Sequence, residues 1–283
     1  MLFRSPSPTV ASGANHTHTA TQVSDSTATG RALVTAASDA AALERVTRGR
    51  RWPAKAATLL LWECNESTGT VVNYGSLGTA GDLTVGAGAV RRARPLLSTI
   101  GPGLGTDHGD TTSDATGAAG CRATTGTAVT LWWIGTLAGD AGGTKWTLIA
   151  RDHASPGSFP APYICVMLSL ASGVLRAEIN DGTTYVALAS GLATPAANVQ
   201  HLIGLTYNGS TLKLWLDGAE AATASVAGSI DWGDTDALWH ISGNGGGAER
   251  ATAVTLRAGL ENVVWTADDW VEAWQRMRGD WVE

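Results

Sequence analysis

The sequence predicts an all-β protein: a sandwich of two sheets with an extended N-terminal arm and a short C-terminal helix. Two observations support this fold class. Charged residues make up only 16% of the 283 residues, and Gly is abundant at 35, a composition that favours strands and turns over helices. Short segments of alternating apolar and polar residues also recur from about residue 58 onwards, with turn residues between them.

The first part of the chain, residues 1–55, contains few large apolar side chains and is predicted to be the arm. Such a segment buries too little apolar surface to fold alone, so we expect partners to order it. One short helix is predicted within it, capped by Ser38, with Leu43 and Val46 on one face. Residues 56–283 are predicted to form a single β domain.

The β domain contains thirteen segments with strand character. They are residues 58–63, 70–74, 82–85, 129–134, 144–150, 162–168, 174–179, 183–188, 199–207, 211–216, 219–226, 237–242 and 254–265. Between the third and the fourth, residues 86–126 lack periodicity and are predicted to be long loops with two short strands.

Turn and cap residues mark the boundaries of the later elements. Asn208-Gly209 and Asp217-Gly218 are predicted hairpin turns, because Asx-Gly supplies the positive φ that tight turns require. The sequence from Thr266 to Asp269 has the form of a capping box. It predicts a helix over residues 267–277, with Trp270, Val271 and Trp274 at helical spacing.

Composition also excludes several classes of protein. No run of about 18 apolar residues exists, so no membrane-spanning helix is predicted, and residues 1–18 lack the apolar region of a secretory signal. A net charge of −6 without a basic tract argues against a nucleic-acid partner. Cys64, Cys121 and Cys165 are too few and too scattered for a disulfide framework, and are expected to be buried apolar residues.

Tryptophan is unusually frequent, with 12 residues against 4 Tyr and 2 Phe. Flat indoles stack on the apolar faces of sugar rings, which makes four of them candidate glycan platforms: Trp132, Trp146, Trp215 and Trp232. Trp215 is the strongest of these, because it alternates out of a leucine stripe in residues 212–216 and is expected on an exposed face. The alternative is a role in the core or in a subunit interface. Four other tryptophans are assigned to the core or to helix docking: Trp133, Trp265, Trp270 and Trp274.

Residues 16–46 resemble a connector of tailed-bacteriophage fibre and minor tail proteins. The match is strongest over Ser24-Asp-Ser-Thr-Ala-Thr-Gly-Arg-Ala-Leu-Val-Thr35, which follows a His-x-His pair. The resemblance implies a virion protein, more naturally in the tail than in the capsid and made in the host cytoplasm. Residues 1–55 would then dock onto other virion proteins or form a trimer. A capsid decoration or head-fibre protein with a purely structural role is the alternative.

The pair His16 and His18 has two interpretations. On an extended strand both side chains point to the same side, so three chains around a threefold axis would offer six imidazoles to one transition metal, and an octahedron of nitrogens suits iron. Some trimeric phage fibres look like this. The alternative is a polar pair in a solvated linker.

Four segments, in order, resemble the laminin-G-like, concanavalin A-like jelly rolls. They are the opening Thr58 to Gly69, the strand Val129-Thr-Leu-Trp-Trp-Ile-Gly, the hairpin Gln200 to Gly218, and Gly259-Leu-Glu-Asn-Val-Val-Trp265 with the capping box after it. The sequence departs from the family at Gln200-His201, where a Trp is usual, and residues 86–126 match nothing in the pattern.

This second resemblance implies two antiparallel sheets with a glycan-binding groove on the concave one. It also implies a calcium site in the sandwich loops, with Asp107, Asp110 and Asp114 as the candidate ligands. The alternative is that these three residues are solvated turn residues. Glucanases of this fold carry Glu-x-Asp-x-x-Glu, and the nearest segment here, Glu178 to Asp181, fails that spacing. No other catalytic motif is present, so the protein is predicted not to be an enzyme.

Together these observations predict a structural phage protein that displays a lectin-like domain for attachment to host-surface glycans. The alternatives are a purely structural virion protein and a non-catalytic carbohydrate-binding module. The expected partners are virion proteins, a host cell-wall glycan and further copies of the chain, with a trimer by analogy.

Overall fold

The computed structural model describes most of the β domain. The described residues are 57–64, 66, 69–92, 103–106, 115–117, 127–139, 145–153, 164–181, 183–192, 195–232, 237–243 and 249–279. The predicted arm, residues 1–55, lies outside them.

Fifteen strands and one α-helix make up the described fold. The strands are β1 (Thr58–Trp62), β2 (Leu83–Val85), β3 (Val90–Arg92), β4 (Gly103–Thr106), β5 (Ala115–Gly117), β6 (Val129–Leu137), β7 (Lys145–His153), β8 (Ile164–Ala171), β9 (Val174–Asn180), β10 (Tyr185–Ala189), β11 (Gln200–Tyr207), β12 (Thr211–Leu216), β13 (Ala219–Ser225), β14 (Ala237–Ile241) and β15 (Ala253–Glu261). The helix is α1 (Ala267–Gly279), and a short 3-10 helix spans Gly78–Gly81.

The strands form two antiparallel sheets, which confirms the predicted fold class. The first sheet has the order β13-β12-β11-β6-β15-β4-β3, with β1 also paired to β15. Along β15, residues 253–255 pair with β4 and residues 258–261 pair with β1, so these two strands share one edge end to end. The second sheet has the order β10-β9-β8-β7-β14-β5-β2.

Alternating side chains of both sheets fill the core between them. Trp62 and Trp239 meet there with ring centroids 6.0 Å apart. The polar edges of two buried indoles find partners: Trp62 Nε1 donates to the Gly81 carbonyl at 2.7 Å, and Trp133 Nε1 donates to Thr255 Oγ1 at 2.9 Å. Leu212 and Leu214 of the predicted stripe face this core.

Two regions of the chain differ from their predicted elements. Residues 70–74 form only isolated bridges at Val71 and Asn73, because side chains take over the backbone hydrogen bonds of a ladder. Asn73 Oδ1 accepts from the Leu61 amide, and Asp82 Oδ1 accepts from the Asn73 amide, each at 2.8 Å. Residues 86–126 contain three short strands among the described residues instead of two.

The predicted turn and cap chemistry is present. Asp217 and Gly218 have φ of +53° and +84°, the left-handed values expected for the turn between β12 and β13. At the start of α1, the Thr266 amide donates to Asp269 Oδ2 at 2.8 Å, and the Asp269 amide donates to Thr266 Oγ1 at 3.2 Å. These reciprocal bonds confirm the capping box.

Helix α1 packs on the side of the first sheet that is turned away from the core. Its buried face consists of Trp270, Ala273 and Met277, with Trp274 half-buried. Val271, which the spacing placed near this face, is 42% exposed. Among the described residues, no helix has the length and apolar character needed to cross a bilayer.

Candidate functional site

Two of the predicted sugar platforms, Trp146 and Trp232, lie in the core between the sheets. Each is only 7% exposed. Trp232 packs beside Trp239 at a centroid distance of 6.3 Å, and its carbonyl accepts from Nε of the buried Arg151 at 2.8 Å. In this position both indoles contribute apolar surface to the core and leave no open face for a sugar.

The other two platforms, Trp132 and Trp215, point away from the core but are buried, Trp215 beneath α1 and Trp132 beneath Trp265, which precedes α1. Trp132 stacks on Trp265 at 6.2 Å, and Trp215 stacks on Trp270 at 5.5 Å with 12° between the ring planes. The prediction that Trp215 lies on an exposed face is wrong, because it is 4% exposed. Strand alternation fixed the side of the sheet to which Trp215 points but not the helix that covers it.

Glycines in the first sheet make room for this seal. A Cβ atom at Gly204 would lie 1.9 Å from the outer edge of the Trp270 ring, and one at Gly259 would lie 2.5 Å from the Trp132 ring. Gly204 and Trp215 are paired on neighbouring strands, so Trp270 fills a notch beside the indole on which it stacks. The tryptophans on the outward face of the first sheet therefore belong to a second small core, whereas Lys213 of β12 and Glu220 of β13 stay partly exposed.

The predicted metal ligands cannot be placed. His16 and His18, and the loop group Asp107, Asp110 and Asp114, all lie outside the described residues. Within the part of the chain that the structure describes, no group of three or more His, Cys, Asp or Glu side chains is arranged to hold a metal ion. Cys64 and Cys165 are buried, as expected; Cys121 is not among the described residues.

The outward face of the second sheet carries a small buried apolar cluster, Ala150, Ile164 and Met167, and polar side chains beside it. On β9, Leu175, Ala177 and Ile179 belong to the core between the sheets, so Arg176 and Glu178 point to the other side. Strand pairing sets Ser169 of β8 beside Arg176, and places Glu178 between Met167 of β8 and Ala187 of β10. Since β10 is the edge strand, this part of the face borders the rim of the sheet.

Five side chains, Lys145, Ser169, Glu178, Tyr185 and Glu249, form what we name the Glu178 cluster. The carboxylate of Glu178 is 0% exposed. Its Oε1 accepts from the Ser169 hydroxyl, and its Oε2 accepts from the Tyr185 hydroxyl and from Lys145 Nζ at 2.9 Å. Three donors on a buried carboxylate compensate for the loss of its hydration.

Lys145 joins Glu178 to the second acid of the cluster. Its Nζ lies 3.5 Å from Glu249 Oε2, and its side chain is 20% exposed against 29% for Glu249. Glu249 is held in turn by Thr147, whose hydroxyl lies 3.4 Å from Oε2 and whose amide donates to the Glu249 carbonyl at 2.7 Å. One ammonium thus bridges a fully buried carboxylate and a partly exposed one.

Tyr185 is the aromatic ring of the cluster that reaches solvent. The residue is 37% exposed, while its hydroxyl is turned inward to Glu178. Burial of the hydroxyl, followed by the negative charge of Glu178, raises the pKa of Tyr185 well above its ordinary value. The phenol therefore stays protonated and keeps donating, which fixes the ring in one orientation.

Arg176 completes the surroundings of the cluster. It stands opposite Ala189 of β10, and its charge is close enough to act on the pKa of Tyr185. Ala187 and Ala189 are exposed and small, so the edge strand presents no bulk between Tyr185 and Arg176. The guanidinium Nε is buried and has no hydrogen-bond partner among the described residues.

A second polar group lies farther along the same face, around His240 of β14. Its Nδ1 is 3.3 Å from Thr116 Oγ1, and its Nε2 is 3.3 Å from Asp152 Oδ1. Burial, and then the positive charge of Arg250, lower the pKa of His240 to about 4. The ring is neutral at pH 7 and serves as a buried polar link.

Sequence reasoning missed the Glu178 cluster because its members come from distant segments. Alternation along β9 predicts that Arg176 and Glu178 point outward, and this could be inferred from the sequence. The search for a carboxylate pair tested Glu178 only against Asp181, its near neighbour. The partner that the fold supplies is Glu249, from a glycine-rich segment without periodicity, and only the strand register brings it to Lys145.

No protein-family model matches this chain, and no curated protein matches its sequence. Solved structures resemble it in fold. The binding domain of Paraclostridial Mosquitocidal Protein 1 is similar with a TM-score of 0.55 at 11% identity, over 77% of this chain and 52% of that one. The Botulinum Neurotoxin serotype G binding domain has a TM-score of 0.56 at 8% identity, over 78% and 51%.

A third similar structure is the binding domain of Botulinum Neurotoxin DC in complex with SialylT, with a TM-score of 0.54 at 10% identity over 77% of this chain and 51% of that one. The chain therefore spans about half the length of each of these structures. All three are binding domains. At these identities the likeness shows a shared β-sandwich fold.

Proposed function

We propose that this chain is a non-catalytic glycan-binding protein of a phage virion and that the Glu178 cluster is its sugar site. One observation carries the choice of site. All four predicted tryptophan platforms are buried, whereas the Glu178 cluster combines a partly exposed aromatic ring with partly exposed charges. Ligand sites typically pair an apolar surface with a few fixed polar groups.

The chemistry of the cluster suits a sugar. The exposed ring of Tyr185 offers a flat apolar surface for the C–H face of a pyranose, and its buried hydroxyl prevents the ring from turning. Around it, Lys145 and Arg176 are donors for sugar hydroxyls, and Glu249 is an acceptor. A site held in place before the ligand arrives loses less entropy on binding.

The arrangement favours binding over hydrolysis. A glycosidase needs two carboxyl groups that both reach the scissile bond. Glu178 is fully buried and occupied by three donors, so its role is to hold the groups around it. The fold likeness to binding domains, one of them in complex with SialylT, supports the same conclusion.

The virion part of the proposal rests on residues 16–46 and their resemblance to a connector of phage tail proteins. In this proposal residues 1–55 attach the protein to the particle, in the tail, and the sandwich presents the Glu178 cluster to the host envelope. The competing position is the capsid, as a decoration or head-fibre protein.

The glycan proposal is tested on an array of bacterial envelope polysaccharides with wild-type protein and the variant Tyr185→Ala. We expect binding by the wild type and its loss in the variant, because the ring is the stacking surface. The matched control is Val271→Ala, an exposed apolar residue of α1, which should bind like the wild type. An array without signal, or equal signal from Tyr185→Ala, would contradict the proposal.

The virion proposal is tested separately. Mass spectrometry of purified particles should detect the chain, and immunogold labelling should place it on the tail. Label confined to the capsid would select the decoration role, and particles without the chain would refute a virion function.

A further inference from the structure

We infer that the ligand of the Glu178 cluster is a sugar that carries an oxyanion and that Arg176 binds this group. The inference rests on the proposed function and adds the chemical class of the ligand. It follows from counting which hydrogen-bonding groups of the face are already used and which are free.

The acceptors of the face are largely occupied. Glu178 uses both oxygens, on Ser169, Tyr185 and Lys145. Glu249 Oε2 faces Lys145 and Thr147, which leaves only part of this one carboxylate for a ligand. A neutral sugar, whose hydroxyls must both donate and accept, would find few acceptors here.

The donors of the face are in surplus. No hydrogen bond or ion pair links the guanidinium of Arg176 to another of the described residues, and its Nε is buried. A buried N–H without a partner raises the free energy of the unliganded protein, and an acceptor on a ligand would remove this cost. A guanidinium presents a planar pair of N–H groups that matches a carboxylate or a phosphate.

The strand register aligns the aromatic ring of the cluster with the guanidinium. Tyr185 and Arg176 stand on either side of the Glu178 position along the strand direction, and exposed Ala187 lies opposite Glu178 on the edge strand. A pyranose that stacks on Tyr185 above Ala187 would direct a charged substituent to Arg176. Lys145 has three donors and two carboxylates beside it, so one donor is left to assist.

The inference is tested with three sugars that differ only at C6: galactose, galacturonic acid and galactose 6-phosphate. Affinities are measured by NMR titration of the full chain. We expect at least one of the two anionic sugars to bind about tenfold or more tightly than galactose, because charge-assisted bidentate bonds exceed neutral ones. The better of the two identifies carboxylate or phosphate as the oxyanion.

Variants assign the effect to Arg176. Arg176→Gln should abolish the preference for the anionic sugar, and Arg176→Lys should retain part of it, since it keeps the charge but loses the fork. The matched control Arg276→Gln, on the exposed side of α1, should leave the preference unchanged. Thermal unfolding of each variant verifies that the fold is intact.

The outcomes separate this inference from the proposed function. Equal affinity for all three sugars, lost in Tyr185→Ala, would overturn the inference and leave the glycan site standing. A preference that persists in Arg176→Gln would also overturn it. Failure of every sugar and of the polysaccharide array would refute both.

Discussion

The two sheets of the sandwich direct different kinds of side chain away from the core, although the same strand alternation produces both outward faces. The first sheet directs indoles outward, and these are covered by Trp270 of α1 and by Trp265, which precedes α1. The second sheet directs charged and hydroxyl side chains outward, which bond to one another; Glu178 is buried, whereas Lys145, and Tyr185 of the edge strand, stay partly exposed. An outward tryptophan therefore indicates a covering element here, and an outward charge indicates a hydrogen-bonded cluster.

The two faces also differ in what holds them. The first depends on apolar contact and shape, so we expect it to respond to side-chain volume. The second depends on paired charges and hydrogen bonds, so we expect it to respond to protonation and to loss of single donors. The following experiments use that difference, from the largest expected effect to the smallest.

Removal of the Trp270 indole should strongly destabilise the packing of α1 on the first sheet. Trp270→Ala deletes a fully buried ring that contacts Trp215 and Trp265, and we expect the free energy of unfolding to fall by about 3–5 kcal/mol. Denaturant unfolding measures this. Val271→Ala, on the exposed side of the same helix, is the control and should change stability by less than about 0.5 kcal/mol. Similar losses from both variants would mean that α1 does not seal the sheet.

Acid should weaken the polar face. The folded pKa of His240 is about 4, below the value of about 6.5 in an unfolded chain, so the unfolded state takes up the proton first as the pH falls. Stability should therefore decline between about pH 6.5 and pH 4, by up to about 3 kcal/mol. Unfolding free energies across this range measure it.

The contribution of His240 is isolated by comparison with His240→Asn, whose profile should be flatter. The comparison is needed because His201 acts in the opposite direction. Burial opposes its charged form, but the hydrogen bond and charge of Asp217 outweigh burial and raise its pKa. Its stabilisation is present below about pH 6.5 and is lost as the pH rises through the raised pKa. Identical profiles for wild type and His240→Asn would show that His240 does not titrate this way.

A methyl group in the notch of the first sheet should disturb the seal less than loss of the ring. Gly204→Ala places a Cβ where the Trp270 ring lies, and we expect a loss of about 1–3 kcal/mol. In the double variant with Trp270→Ala the two losses should add only in part, because the clash with the ring disappears while the close approach to the Leu131 carbonyl, 2.9 Å, remains. Fully additive losses would locate the clash elsewhere.

Removal of the Tyr185 hydroxyl should destabilise the polar face only slightly. Tyr185→Phe retains the ring but leaves buried Glu178 with one donor fewer, and we expect a loss of about 1 kcal/mol in stability. Sugar binding should weaken only a few-fold, in contrast to Tyr185→Ala. Unfolding and NMR titration of the same samples give both numbers, and a full loss of binding would assign the hydroxyl, not the ring, to the ligand.

Much of the fold was predictable because it is encoded locally. The turn at Asp217-Gly218 and the capping box at Thr266 appear as expected, since each depends on residues within a few positions of one another. The strands from β6 onwards lie close to their predicted positions for the same reason. Local signals failed over residues 70–74, where Asn73 and Asp82 replace a ladder with side-chain bonds.

The site was less predictable because it is encoded by register. The direction of Glu178 follows from its own strand, but its bonds to Lys145 and Ser169 depend on how β7, β8 and β9 are paired. Exposure of Trp215 was predicted wrongly for a related reason. The element that covers this face of the sheet is far from Trp215 in sequence. Gly204 indicates that an element packs closely there, but only once Trp270 is known to be its neighbour.

The pairing of β1 with β15 has a mechanical consequence. The Asn262 amide donates to the Ala57 carbonyl at 2.9 Å, and Thr58 Oγ1 lies 2.8 Å from Glu261 Oε2, so the first strand is fastened at its leading end. A pull on the chain before Ala57, directed away from β15, loads these bonds one after another instead of all together. Before β1 could leave the sheet, tension would also have to break the bonds that the Thr58 and Leu59 carbonyls accept from the amides of residues 76 and 77, while the edge strand that borders the Glu178 cluster, in the other sheet, bears none of the initial load.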